Sequence, residues 1–224
     1  MRPLALRAAR AHDPAEVDRI YDVCLRTGAS GADATDAFAD PRLLGEVYAG
    51  PYLRFAPDLA FVLDAGPTTS PTSAQGARPG AGSPGEPVAG VVGYVLGVAD
   101  TAAFEDELEA SWWPDLRARY PLDRFPAGSP DAGVVGLIHE PPRAAPELLR
   151  DYPAHLHVDL LPQAQGGGNG RRLIATLLDA LRAAGAPGVH LGVAADNVNA
   201  QGFYEHLGFR RVEEAQGHVY GLRL

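Results

Sequence analysis

The sequence predicts a single α/β domain, residues 1–224, built on a central mixed sheet with helices packed against it. Three observations carry this. His155 to Leu160 alternate polar and apolar residues, the two-residue period of a half-buried strand. Leu173, Ile174, Leu177, Leu178 and Leu181 then recur at helical spacing, and Val189 to Val193 form a further apolar strand, giving a right-handed βαβ unit. Finally, 46% of the 224 residues are hydrophobic, enough for one substantial core, and no internal repeat divides them.

The elements follow in order. Leu4 to Ala8 reads as a strand. Asp13, Pro14 and Glu16 supply an N-cap, a first-turn proline and an N3 acid, and Val17, Ile20, Tyr21, Cys24 and Leu25 form one apolar helical face. Residues 28–36 are a polar loop. Asp40-Pro41 opens a helix carrying Leu43, Leu44, Val47 and Tyr48, which Gly50-Pro51 is expected to end. Leu59 to Leu63 is a short strand. Gly66 to Pro87 holds five Gly and five Pro in 22 residues, with no large apolar side chain, so it reads as a mobile loop inside the domain. Val88 to Val98 is the next strand. Asp100 or Thr101 caps a helix with Phe104, Leu108 and Trp112 on one face, and Pro114 kinks or ends it. Residues 121–147 read as irregular, with a short apolar piece at Val134 to Ile138. The long helix after the glycines stops at Gly185-Ala186-Pro187. Asn199 to Leu207 is a last helix, and one or two strands follow Phe209.

Composition narrows the chemistry. The net charge of −9 argues against nucleic-acid binding. All 19 basic residues are arginine, which excludes a lysine-dependent phosphate loop and Schiff-base catalysis. The single cysteine, Cys24, cannot form an internal disulfide, and its place on an apolar helix face marks it as a buried thiol. Arg7 and Arg10 interrupt the N-terminal apolar residues, and no stretch approaches the ~20 residues of a membrane span. A cytoplasmic protein, off the membrane, monomeric or homodimeric, is expected. Its bias towards Ala, Gly, Pro and Arg fits a GC-rich bacterial source.

Two motifs remain. Gln165-Gly166-Gly167-Gly168-Asn169-Gly170-Arg171 joins the alternating strand to the long helix. Such a run offers bare backbone N–H groups at a positive helix end, which suits a pyrophosphate. It fails as a dinucleotide fingerprint, because Arg171 stands where the third glycine belongs and no acidic residue ends the next strand. The second motif runs from Asn197 through Asn199, Ala200, Phe203 and Tyr204 to Gly208 and Phe209.

Together these resemble the acetyl-CoA site of the GNAT N-acetyltransferase family. Gln165, Gly168 and Gly170 match its diphosphate motif, and Asn197, Ala200, Tyr204, Gly208 and Phe209 its second motif. Upstream stretches are similar to the acetyltransferase-like C-terminal domain of O-GlcNAcase and its free-standing bacterial relatives: Tyr21 to Cys24, Arg26 to Thr35, Asp40 to Gly45, Tyr52 to Phe55, Trp112-Trp113-Pro114 and Tyr152 to Asp159. Unlike the animal members, this chain keeps the glycine motif intact. The resemblance implies a mostly antiparallel twisted sheet, splayed between the strands at 154–161 and 188–194.

It also implies acetyl-CoA as co-substrate and a primary amine acceptor, whether a small molecule, an amino sugar or a peptide. Leu160, Leu161, Gln165 to Arg171, Asn197, Asn199, Phe203 and Tyr204 are then the acetyl-CoA contacts. The amide of Asn197 is expected to bond the pantetheine arm, and a backbone N–H near Leu160 or Leu161 to stabilise the oxyanion. Tyr204, with an ordinary pKa near ~10, is the candidate acid for the thiolate. Asp159 is the candidate base, with His155 or His157 as alternatives. These three share one strand face, about 6.6–6.8 Å apart per two residues. Two histidines at this spacing also permit a metal, but no fourth ligand is identifiable, so no metal is expected. The alternative function is a non-catalytic acetyl-CoA-binding or protein-interaction module.

Overall fold

The computed structural model describes residues 4–66, 90–212 and 218–224. The Gly/Pro-rich loop expected at 66–87 lies outside them apart from Gly66, as do the first residues of the strand expected at 88–98. The chain opens with β1 (Ala5–Ala8) and α1 (Pro14–Leu25), the latter capped by Asp13, which accepts the Ala15 N–H. The N3 acid does not close a capping box. Glu16 is buried and instead accepts from Arg7, Arg10 and the Arg10 N–H, tying β1 to α1.

Next come α2 (Leu43–Tyr48) and α3 (Gly50–Phe55). Gly50-Pro51 therefore begins a helix rather than only ending one. Proline is tolerated in a first turn, where its missing N–H has no partner to lose. Gly50 is also required by space, since a Cβ there would meet the Tyr21 hydroxyl at 2.2 Å and the Trp112 ring at 2.9 Å. β2 (Ala60–Asp64) and β3 (Val91–Val98) follow, then α4 (Thr101–Ser111), capped by Asp100, and α5 (Trp113–Arg119).

The region expected to be irregular, 121–147, holds one helix, α6 (Pro130–His139), and the start of another, α7 (Pro146–Asp151). The Ser129 side chain accepts from the Ala132 N–H and Pro130 takes the first position, a start signal that Gly133 and Gly136 inside the helix obscure. β4 (Ala154–Leu160), α8 (Asn169–Ala183), β5 (Gly188–Val193), α9 (Val198–His206), β6 (Arg210–Arg211) and β7 (His218–Arg223) complete the chain.

The seven strands form one sheet in the order β1-β2-β3-β4-β5-β7-β6, antiparallel at every pairing except β4–β5. α8 covers one face, burying Leu173, Ile174, Leu177, Leu178 and Leu181 against β2, β3 and β4. Gly97 of β3 makes room for it, as a Cβ would meet Leu177 at 2.9 Å. α1 and α3 cover the other face, so every residue of β3 is buried. No helix of the described residues is long and apolar enough to cross a membrane.

Candidate active site

β4 and β5 pair only at Ala154–Val189 and His155–His190, then diverge. The opening is a gap of about 850 Å3 in the middle of the sheet. Cys24, Thr27 and Ser30 line it from the α1 face, and Gln165, Gly166, Gly170, Asn199 and Phe203 from the α8 and α9 side. The Leu161 N–H donates to the Val92 carbonyl at 2.9 Å, so by strand alternation the Leu160 N–H points the other way, into the gap. Of the two amides expected to face a reacting carbonyl, the one at Leu161 is committed to the sheet, and its residue is wholly buried.

At one end of the gap lies the glycine run. Gly166, Gly167 and Gly168 have φ of 76°, 57° and 78°, a left-handed succession that side chains resist. The N–H groups of Gly166, Gly167, Gly168, Gly170 and Arg171 have no acceptor among the described residues. Space around the three left-handed glycines is open, with nothing within 4 Å of a Cβ at Gly166 or Gly168. The loop is locked from behind. Asn169 Nδ2 donates to the Ala164 carbonyl at 3.0 Å, Asn169 Oδ1 accepts from Arg172 at 3.1 Å, and Gln165 Nε2 donates to the Leu160 carbonyl at 3.1 Å. Free amides converging at the positive end of a 15-residue helix fit a diphosphate.

The polar face of β4 runs towards this gap. Asp159 lines it and accepts the hydroxyl of Tyr94, its partner across β3, at 2.5 Å. Burial raises the Asp159 pKa, and the bond from Tyr94 offsets that only in part. Tyr204, buried to 8% exposure, also lines the gap, and its hydroxyl has no hydrogen-bond partner among the described residues. Burial and the neighbouring Asp159 charge both raise its pKa, so it stays protonated. Cys24 is a buried thiol pushed up to about 12, first by burial and then by Asp159.

His155 is not free to take a proton. Thr101 Oγ1 gives its own hydrogen to the Pro153 carbonyl at 2.6 Å and so accepts from His155 Nδ1 at 2.8 Å. His155 Nε2 in turn accepts from the Tyr52 hydroxyl at 2.6 Å, fixing a neutral imidazole whose pKa burial holds well below the ordinary value. His157 packs edgewise on Tyr48 and Tyr52 and is lowered to about 4 by burial and by His190. Among the described residues no group of three or more His, Cys, Asp or Glu could hold a metal ion.

Residues 101–209 match the acetyltransferase (GNAT) family. The crystal structure of SsHAT is 37% identical and superposes with a TM-score of 0.81, over 99% of this chain and 98% of that one. The chain belongs to the GNAT acetyltransferase family. The crystal structure of a Pyrococcus horikoshii OT3 protein, PH1933, superposes at TM-score 0.55 and 16% identity, over 99% of this chain and 98% of that one. Protein O-GlcNAcase of Rattus norvegicus is 23% identical over 210 residues, 93% of this chain but 20% of its own length. The chain thus spans about a fifth of the curated relatives it matches. Family membership implies acetyl transfer from acetyl-CoA.

Within this GNAT chain the gap gathers Asp159, Leu160, Gln165, Gly166, Gly170, Asn197, Asn199, Phe203 and Tyr204. Gly167, Gly168, Asn169 and Arg171 stand at its outer end and do not line it. Phe203 packs over Gly170, where a Cβ would meet its ring at 3.0 Å. Asn197 has other duties than the one expected. Its Oδ1 caps α9 by accepting the Ala200 N–H at 3.1 Å, and its Nδ2 donates to the Ser30 carbonyl at 3.2 Å. Sequence reasoning missed Tyr94 and Tyr48. Tyr94 sits in a strand buried on both faces, where an aromatic reads as core, and only the register opposite Asp159 reveals its role.

Proposed function

We propose that the chain transfers acetyl from acetyl-CoA to a primary amine by direct attack. The observation that carries this reading is the convergence of Asp159, Tyr204 and the Leu160 N–H on one gap, with the unpaired glycine amides at its end. The diphosphate is assigned to the N–H groups of Gly166, Gly167, Gly168, Gly170 and Arg171, with the α8 dipole adding favourable charge. The pantetheine arm, itself peptide-like, is assigned to the unpaired edge of β4, which offers backbone donors and acceptors as a neighbouring strand would.

Asp159 is the base. A carboxylate whose pKa burial has raised holds a proton better than an ordinary one. The amine nitrogen then attacks the thioester carbonyl, and the Leu160 N–H stabilises the developing oxyanion. Tyr204 donates its hydroxyl hydrogen towards the departing sulfur. Its pKa lies above that of a thiol near ~8.5, so it acts by hydrogen bonding before any complete proton transfer. The test is calorimetric titration with acetyl-CoA, followed by thiol release over a panel of amines. Absence of binding at millimolar acetyl-CoA refutes the reading. Binding without thiol release from any amine leaves a binding module instead.

A further inference from the structure

Beside the gap lies a second cavity of about 770 Å3, walled by α2, α3, α4, α5, the end of α6 with the segment after it, and β4. Its apolar lining includes Val47, Tyr52, Phe104, Leu108, Trp113 and Leu137. The charged groups around it are already paired. Glu109 receives both Arg117 terminal nitrogens, at 2.6 and 2.9 Å. Glu105 accepts the Ala144 N–H at 2.9 Å and faces Arg143 at 3.4 Å, and Arg143 also holds Asp106. Both nitrogens of His155 are used, as described above. The cavity thus has no unpaired carboxylate for a second ammonium group, and the polar side chains without a partner in its lining, Tyr48 and His157, sit together at the end next to the gap, too few and too local to match the hydroxyls of a sugar. Burying such groups without partners is costly.

The cavity adjoins the gap. Tyr48 and His157 line both, and along β4 His157 lies between His155, which lines the cavity, and Asp159, which lines the gap. His157 makes no hydrogen bond among the described residues and is neutral, with its pKa lowered to about 4 by burial, so it presents no cation to an approaching amine.

We propose that this cavity seats the body of the acceptor, and that the acceptor is a primary amine on an apolar aromatic group, its nitrogen reaching the gap past His157 and Tyr48. The inference rests on the acetyl-transfer reading and narrows its acceptor: arylalkylamines are favoured over amino sugars and lysine peptides.

The test uses 2-phenylethylamine, glucosamine and a lysine-containing tripeptide. Each is titrated calorimetrically into CoA-saturated protein, where no turnover occurs, and each is assayed for thiol release with acetyl-CoA. The expected result is binding and turnover of 2-phenylethylamine above the other two. Leu137→Trp and Val47→Trp fill the cavity from different walls at half-buried positions. Each should weaken 2-phenylethylamine at least about tenfold, the scale on which apolar pockets discriminate, with CoA affinity unchanged. Preference for glucosamine or the tripeptide, or no detectable binding of 2-phenylethylamine, overturns the inference while acetyl transfer stands. Unaltered 2-phenylethylamine affinity in both folded variants overturns it equally. Failure of CoA to bind sinks the underlying transfer reading, and 2-phenylethylamine titrated into the unloaded chain then judges the cavity by itself.

Discussion

Replacing Asp159 by Asn isolates its charge. Tyr94 donates to Asp159 Oδ2 at 2.5 Å, and an amide oxygen accepts the same bond, so the variant keeps the shape of the gap floor and loses only ionisation. A base must be ionised to work. Burial raises the Asp159 pKa, so turnover should fall as pH drops through a value above the ordinary carboxylate figure of ~3.9. The Asn variant should lack that acid limb and lose about 10²–10⁴-fold in kcat, the usual contribution of a general base. Stability should move the opposite way. A carboxyl whose folded pKa exceeds its unfolded one costs the fold free energy at every pH above the folded value, and nothing below the unfolded value. Asp159→Asn should therefore be at least as stable as the parent at pH ~7, with the advantage gone near pH ~3. The assays are kcat/KM for thiol release against pH, and thermal unfolding at both pH values. An acid limb that survives the substitution refutes Asp159 as base. A lower Tm at neutral pH, together with weaker acetyl-CoA binding, makes it an anchor for Tyr94 instead.

Tyr204→Phe should lower kcat, by up to the 10²–10⁴-fold of a lost general acid, with acetyl-CoA affinity unchanged by calorimetry; undiminished turnover removes Tyr204 from the mechanism. Gly168→Val places a side chain at φ 78°, costing about 1–2 kcal/mol in thermal unfolding, and should abolish acetyl-CoA binding by intruding on the free amides. Gly136→Ala, where a Cβ meets nothing, is the control and should stabilise α6 by about 0.5–1 kcal/mol. His155, His157 and His190 all have folded pKa values below the unfolded value, so the fold binds fewer protons and weakens as pH falls below ~6.5. His157 alone, lowered from 6.5 to about 4, contributes about 3 kcal/mol across that window. Urea unfolding of the parent and of His157→Gln at pH ~7.5 and ~5, an interval that holds about 2 kcal/mol of it, measures this, and equal pH dependence in the two contradicts it.

Legibility in the sequence tracked how local each signal was. α8 was plain because five apolar residues repeat at helical spacing and a glycine lies at each end. The splay of the sheet came through the family resemblance, since no residue pattern states that two strands stop pairing after His155. α6 and α7 were missed because proline and glycine, read as breakers, here stand at first-turn positions or on open helix surface. At the site, Asp159 and Tyr204 stood out through motif and alternation. Tyr94 did not, because a cross-strand hydrogen bond depends on register between strands more than sixty positions apart. His155 was the opposite case. It looked available on the strand face, and its neutral state is set by Tyr52 and Thr101, both remote in sequence.

The change in role for Asn197 bears on how the donor is recognised. Its side chain clasps α9 to the loop after α1, and Ser30 Oγ adds a bond to Asp196 at 3.3 Å. Ser30 itself adopts φ 52°, an uncommon conformation for a residue with a side chain, held within the turn that pairs Ala29 with Ala32. The clasp bridges the gap mouth from the α1 face to the β5 side. A strand edge inside a sheet leaves N–H and C=O groups that demand partners. Asn197 already spends one Nδ2 hydrogen and one Oδ1 lone pair on the clasp, so the proposed assignment of the pantetheine arm leans on those backbone groups. Asn197→Ala should accordingly weaken acetyl-CoA binding through loss of the clasp. Asn197→Asp retains the α9 cap but cannot donate to the Ser30 carbonyl, so it should behave like Asn197→Ala in binding while preserving helix stability. If Asn197→Asp binds acetyl-CoA as the parent does, the clasp plays no part in donor binding.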